Sequence, residues 1–528
     1  MLSRRTLLCA VLIYGSLRSG LSQEAQPSNA PAIHVTSNLV FLDVTVLDKK
    51  GRPVVSGLSQ DDFTITEEKI PQRIFSFEAP GTHVAKAAPG EEVPEDEAHM
   101  TIFVLDLLNS DWQDASTIRE RFEMYLSQQP SQLSTPAELM VIGNNSLELL
   151  QGFTRRRDEL LFALKHLRGS VPYKRMHSDF DLERIQQSVD ALQAIVLQNR
   201  GISGRKNVIW IGPGAPSLQT SAEAPSVTKR IATYLHETTN MLVDARVSLF
   251  VVYPGPRLIK SSDYFLPTIG ESNFDGKDPF GRDVNFADFV GETGGKLFYN
   301  RNDIDGEIKE SLNMGAKFYT LTYQPHEIVN NGKYRRIRVT MRNPDLRAVT
   351  KSGYYAEDSD SEANPRHKAA LAISDAIRTT IPLNQMELKI LGIVQHPDSR
   401  TAELTVQVNS RNLEWHKRDD GTSAAYFYLG VASLSGDKRV LASKWGKLTG
   451  VMRTQDAASL AASDCEFDLP VRVPAKTRSV RVIVENEDSG RMGAIDVSRD
   501  AINAAPSKPT PQPPSPANQS QEKTPGVS

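Results

Sequence analysis

Thr101-Ile102-Phe103-Val104-Leu105 is a near-continuous apolar run that stops at a carboxylate, Asp106. A strand with apolar side chains on both faces is buried on both, the situation of a parallel strand covered by helices above and below. The same signal returns at Leu139-Met140-Val141-Ile142, Asn207-Val208-Ile209-Trp210-Ile211 and Val247-Ser248-Leu249-Phe250-Val251-Val252. Between these runs, Leu182, Ile185, Val189, Leu192 and Val196 step by three and four, which places one apolar stripe along a helix. Ile231, Leu235, Thr238 and Leu242 repeat that spacing. Buried strands alternating with amphipathic helices predict an α/β domain over 99–323. Its doubly wound, mostly parallel sheet of Rossmann-like type should bind ligands at the carboxyl ends of its strands.

On either side the grammar changes. Over 33–80, Val40, Leu42, Val44 and Val46 share one face, Asp48-Lys49-Lys50-Gly51 reads as a turn, and Phe63-Thr64-Ile65 and Ile74-Phe75-Ser76-Phe77 follow. This predicts an N-terminal β-domain. A β extension at 324–356, with Tyr334 to Val339 and Gly353-Tyr354-Tyr355, is expected to complete it and so make the α/β domain an insertion. Residues 81–98 form an acidic linker with Glu91, Glu92, Glu95, Asp96 and Glu97, a solvated run in preference to a calcium site. A linker and helix fill 357–379. From 380 to 500, Leu404, Val406 and Val408, then Ala425, Phe427 and Leu429, then Val480, Val482 and Val484 alternate as in a C-terminal β-sandwich. The α/β domain is thus expected to be flanked by β-sandwich-like domains. The segment 501–528 is rich in Pro, Ser and Gln and reads as a disordered tail.

Residues 1–22 read as a signal peptide: Arg4 and Arg5, an apolar run from Leu7 to Tyr14, and Gly20 and Ser22 ahead of Gln23. A spacer at 23–32 follows. Ser3-Arg4-Arg5-Thr6-Leu7-Leu8 also fits a twin-arginine leader, so the expected location is secreted or periplasmic (cell envelope) by a Sec or Tat route. No other stretch approaches the ~20 apolar residues a spanning helix needs, so no integral membrane segment is expected after cleavage. Cys9 lies in the leader and leaves Cys465 alone, which excludes an internal disulfide in the mature chain. With 61 Lys+Arg against 64 Asp+Glu there is no basic excess to neutralise phosphates, and no nucleic-acid partner is expected.

The chemistry-bearing stretch is Asp106-Leu107-Leu108-Asn109-Ser110, at the end of the first buried strand. It resembles the von Willebrand factor A (VWA) domains, where this position reads Asp-x-Ser-x-Ser and forms a metal-ion-dependent adhesion site. Asp106 and Ser110 match, Leu108 replaces the first serine, and Gly212-Pro213-Gly214 stands where a second aspartate is expected. The resemblance places Thr154 at the family's threonine and lets Asn109 stand in as an oxygen ligand. It therefore implies a degenerate site of Asp106, Asn109, Ser110 and Thr154 that holds Mg²⁺ weakly.

Further blocks at 41–54, 58–63, 204–208, 293–298 and 319–325, among them Thr293-Gly294-Gly295-Lys296, look like the VWA-related proteins of Acidobacteria. That similarity covers about 33–356. A plainer reading has Asp106, Asn109 or Ser110 capping a helix that starts near Asp114, and Thr154 capping the next one. His-Glu-x-x-His, Gly-x-Ser-x-Gly and paired Cys-x-x-Cys motifs are all absent, so the chain is expected not to be an enzyme. The function expected is that of an exported binding or adhesion protein, meeting a protein partner at the carboxyl edge of its parallel sheet. The alternatives are an envelope hydrolase with dispersed catalytic residues and a structural envelope component.

Overall fold

The computed structural model describes residues 39–81, 99–143, 147–167, 180–202, 204–219, 225–253, 279–280, 283–298, 303–326, 331–356, 365–409, 413–453, 455 and 464–508. The expected signal peptide and spacer, nearly all of the expected acidic linker and the expected tail beyond 508 lie outside the described residues. The chain forms two compact units that divide after Leu383, with Ser489–Arg491 counted in the first.

The first unit opens with β1 (Val40–Leu47), β2 (Phe63–Glu67), β3 (Ile70–Gln72) and β4 (Ile74–Glu78). Next come β5 (His99–Asp106), α1 (Trp112–Gln128), β6 (Gln132–Ile142), β7 (Leu147–Arg156), α2 (Arg157–Lys165), α3 (Asp181–Asn199) and β8 (Arg205–Ile211). They are followed by β9 (Leu218–Gln219), α4 (Pro225–Asp244), β10 (Val247–Val252), β11 (Asp283–Val284), α5 (Asp288–Glu292), β12 (Lys296–Phe298) and α6 (Ile304–Ala316). The strands β13 (Tyr319–Tyr323), β14 (Tyr334–Met341), β15 (Arg347–Val349) and β16 (Gly353–Tyr355), and a helix at Pro365–Arg378, complete the unit.

The six-stranded sheet has the order β12-β10-β8-β5-β6-β7. Every pair in it is parallel except β6 with β7. Counted along the chain this is the order 3-2-1-4-5-6 of doubly wound sheets, with the topological switch point between β5 and β8. The near-continuous apolar runs follow from cores on both faces. Ile102, Val104, Val208, Trp210 and Leu249 pack with α3 and α4 on one side. Phe103, Leu105, Ile209, Ile211 and Phe250 pack with α1 and α6 on the other. Each such side chain contributes about 1.5–3 kcal/mol by leaving water. On α3 the stripe from Ile185 onward is buried, but Leu182 is 48% exposed, so the packed face begins one turn later than the spacing predicts.

β1 pairs with β13 and β15, and β13 with β4, while β14 lies between β2 and β16. The two resulting four-stranded sheets share one core built on Leu42, Val44, Phe63, Ile65, Tyr319, Leu321 and Ile337. Chain from both sides of the six-stranded sheet thus closes a single β-domain. Tyr319–Tyr323, assigned above to the α/β domain, belongs to this antiparallel sheet instead. All five of its residues are buried, and a strand covered on both faces imitates a parallel one in sequence. Its second face is covered by polar contacts: Arg246 donates to Asp43 on β1 (Nε to Oδ2, 3.0 Å) and to Thr320 (3.0 Å). Burial alone would raise the Asp43 pKa, but the Arg246 guanidinium outweighs it and the carboxyl is held below its usual value. Arg205 donates to Ser248 (2.8 Å) and Thr45 (3.3 Å) beside the Phe318 ring.

The second unit contains β17 (Leu388–His396), β18 (Thr401–Val408), β19 (His416–Lys417), β20 (Ser423–Leu434), β21 (Val440–Met452), β22 (Cys465–Arg472), β23 (Ser479–Asn486) and β24 (Met492–Ser498). One sheet runs β17-β18-β22; the other runs β19-β20-β23-β24, with β21 also on β20. Leu404, Val406, Phe427, Leu429, Phe467 and Val482 fill their common core. The expected tail starts too early at 501. Ser498 caps a short helix, Arg499–Ala504, that carries Ile502 into this core at 3% exposure, and one large apolar residue among small and polar ones leaves little trace in composition. Among the described residues, no helix is long and apolar enough to cross a membrane.

Candidate functional site

β5 ends at the switch point, and Asp106 is its last residue, level with Ile142 of β6. The side chain is fully buried, and Asn109 and Ser110 are almost equally so. Four N–H groups converge on the carboxylate. Asn109 N donates to Oδ1 (2.9 Å) and Asn109 Nδ2 to both oxygens (3.1 Å). Trp210 Nε1 and Gly214 N each donate to Oδ2 (2.9 Å). Asn109 Nδ2 also reaches Ser188 Oγ on α3 (3.1 Å), and the Ser110 hydroxyl donates back to the Asp106 carbonyl. Burial nonetheless dominates these contacts and raises the Asp106 pKa above its ordinary value.

The turn after β8 explains its glycines. Gly212 has φ +143°, and a Cβ there would sit 2.5 Å from Asp106 Cβ. Gly214 has φ +75°, and a Cβ there would strike the Phe286 ring at 2.3 Å. Two positions closed to other residues therefore bring the Gly214 N–H onto the carboxylate.

Thr154 does not join the cluster. It lies opposite Ala137 on β6, which is level with Thr101 on β5, five residues before Asp106. At ~3.3 Å per residue the two are separated by roughly 17 Å along the sheet. The cause is the direction of β7: in an antiparallel edge strand the first residue, Leu147, lies at the carboxyl end of the sheet and Thr154 lies near the other. Thr154 Oγ1 donates to Glu159 (2.6 Å) and accepts from Arg156 N (3.0 Å), a local role at the entrance to α2. The helix after β5 is capped by Asp111, which accepts from Asp114 N (2.7 Å), so none of Asp106, Asn109 and Ser110 caps it.

Mg²⁺ requires an octahedron of oxygens at about 2.0–2.1 Å and usually keeps several waters. The residues here do not fit it. A carboxylate offers about four lone-pair sites, and N–H donors take those of Asp106. Leu108, where the pattern of VWA domains has a hydroxyl, is buried in the apolar core. Among the described residues Asn109 Oδ1 has no hydrogen-bond partner, but one amide oxygen is far short of a ligand set.

Above this closed cluster the edge carries a feature that the sequence reading missed. Trp112, the first residue of α1, is 72% exposed. Asp111 and Asp114 flank it, and Tyr253, next after β10, donates its hydroxyl to Asp114 (3.3 Å). Partial burial and the neighbouring Asp111 raise the Asp114 pKa. The available signal was an aromatic directly after an N-cap aspartate, at the mouth of a helix that follows a buried strand.

No family model and no curated protein matches the chain. Among solved structures, an uncharacterized membrane spanning protein from Vibrio fischeri matches 41% of this chain and 98% of its own, at 12% identity and a TM-score of 0.14. The SpRpn10 VWA domain matches 30% of this chain and 91% of its own, at 16% identity and a TM-score of 0.14.

Proposed function

We propose that this chain is an exported, VWA-like binding protein that acts by recognition and not by catalysis, and that it meets a protein partner at the carboxyl edge of its six-stranded sheet. The observation that carries the reading is Trp112, a large aromatic exposed at the edge where doubly wound sheets take their ligands. Leaving an indole in water is unfavourable unless a partner covers it, and tryptophan is prominent among residues that dominate binding energy at interfaces. The strand order and the sequence blocks shared with VWA-related proteins support the VWA-like part. The leader at 1–22 supports export.

The test is capture of partners from envelope extract with the tagged mature chain and with Trp112→Ala, followed by affinity measurement on what is captured. Truncation of a central aromatic typically costs about 2 kcal/mol or more, so affinity should fall by roughly 30-fold. Because Trp112 is exposed, the variant should keep its thermal midpoint. Equal affinity of both proteins for the same partner would remove this edge as the recognition surface.

A further inference from the structure

We infer that the recognition edge is set in shape without a divalent cation, by Asp106 acting as an internal acceptor that ties three elements together. The inference rests on the recognition reading for its functional consequence only. Its physical content is the cluster itself.

Asp106 closes β5, Trp210 and Gly214 bracket the end of β8, and Asn109 links the carboxylate to Ser188 on α3. The switch point of the sheet is therefore crossed by hydrogen bonds to a single carboxylate. A cation placed against Oδ1 or Oδ2 would face the positive ends of these N–H dipoles at the positions where oxygen ligands are required. Admitting it means breaking the Asn109 bonds at Oδ1 or the Trp210 and Gly214 bonds at Oδ2 and leaving buried donors without acceptors, an arrangement that folded proteins avoid. Access is closed as well. Leu107 and Leu108 are buried on opposite faces of the sheet, and Mg²⁺ gives up its waters reluctantly. Asp106 is accordingly a positioning residue. It holds Gly212-Pro213-Gly214 and the Leu107–Ser110 loop in one arrangement, and that loop delivers Trp112 to the surface. A surface fixed before contact loses less ordering entropy on binding.

The experiment uses the mature chain with ¹⁵N-labelled tryptophan, which gives indole signals from its four tryptophans. The expected result is a Trp210 indole N–H slow to exchange and unmoved by millimolar Mg²⁺, with no selective broadening by Mn²⁺ and an unchanged thermal midpoint. Asp106→Asn replaces one acceptor oxygen by a donor and should shift the Trp210 signal, a change that generalised loosening of the fold would not confine to that indole. Partner capture should be the same with and without chelator. Mn²⁺ broadening of Trp210, or a midpoint raised by Mg²⁺, overturns the inference in the wild-type protein alone, whether or not the variant folds. The metal titration reads the cluster and Trp112→Ala reads the recognition surface, so failure of one is distinguishable from failure of the other.

Discussion

Gly295→Ala should leave the α/β domain unfolded. A Cβ at this position would lie 1.7 Å from the Leu249 carbonyl oxygen and 2.5 Å from its carbon, both backbone atoms of β10. That strand cannot retreat, because β8 and β12 pair with it on either side and Thr293 Oγ1 accepts from Leu249 N (3.0 Å). The adjacent Gly294 has φ +68° and lies against the Thr350 and Lys351 backbone, so Thr293-Gly294-Gly295 is a close approach of main chain to main chain. Overpacking a core costs about 1–3 kcal/mol when side chains can give way. Here only backbone is available to move, and the expected loss exceeds about 4 kcal/mol, a large share of the 5–15 kcal/mol typical of a domain. Gly152→Ala, with nothing within 4 Å of the added methyl, is the control and should change stability by less than about 0.5 kcal/mol. Circular dichroism and limited proteolysis read both; a cooperative melt for Gly295→Ala at the wild-type temperature contradicts the close-approach account.

The second large effect depends on pH. Glu138 is fully buried on β6, and desolvation pushes its carboxyl up to about 8 despite help from Asn199 and Gln198. An unfolded glutamate titrates near 4.5. Between these values the native state holds a proton that the unfolded state has released, so stability falls as pH rises from 4.5 to 8. The full span is worth roughly 3–5 kcal/mol. Lys206 works in the opposite sense. Burial, and then Arg246, lower it to about 7 from 10.5, and stability is regained as pH rises through that window. The profile should therefore dip near pH 7–8. Glu138→Gln should flatten the acidic limb and Lys206→Met the alkaline one, as followed by urea unfolding across the range. Parallel profiles for wild type and Glu138→Gln would show that the acid ionises freely in the native state.

The sheet was readable because burial on both faces writes apolar runs directly into β5, β8 and β10. The same rule misassigned β13, which is covered on both faces in a different domain. The site was readable in part. Asp106, Asn109 and Ser110 do come together, but the groups that settle what Asp106 does are 104 and 108 residues away, at Trp210 and Gly214, and no local spacing encodes them. Thr154 was misplaced because the resemblance that puts it in the ligand set carries no information on the direction of the strand it ends. Trp112 carries neither a carboxylate nor a hydroxyl, so a metal-site pattern does not point to it. In the second unit, Phe427 is in the core, as the alternation of Ala425, Phe427 and Leu429 implied, and Trp415 packs against that core.

The arrangement in which one domain interrupts another also imposes an order on biosynthesis. Asp43 must wait for Thr320, 277 residues later, before the contact between them can form. At about 5–20 residues per second that delay is roughly 14–55 s. Throughout it β1 has neither of its partners, and before it ends the interrupting domain has received every strand of its six-stranded sheet. The enclosed module is thus made ready first, and the ribosome leaves an open β edge behind it as the last seam to close.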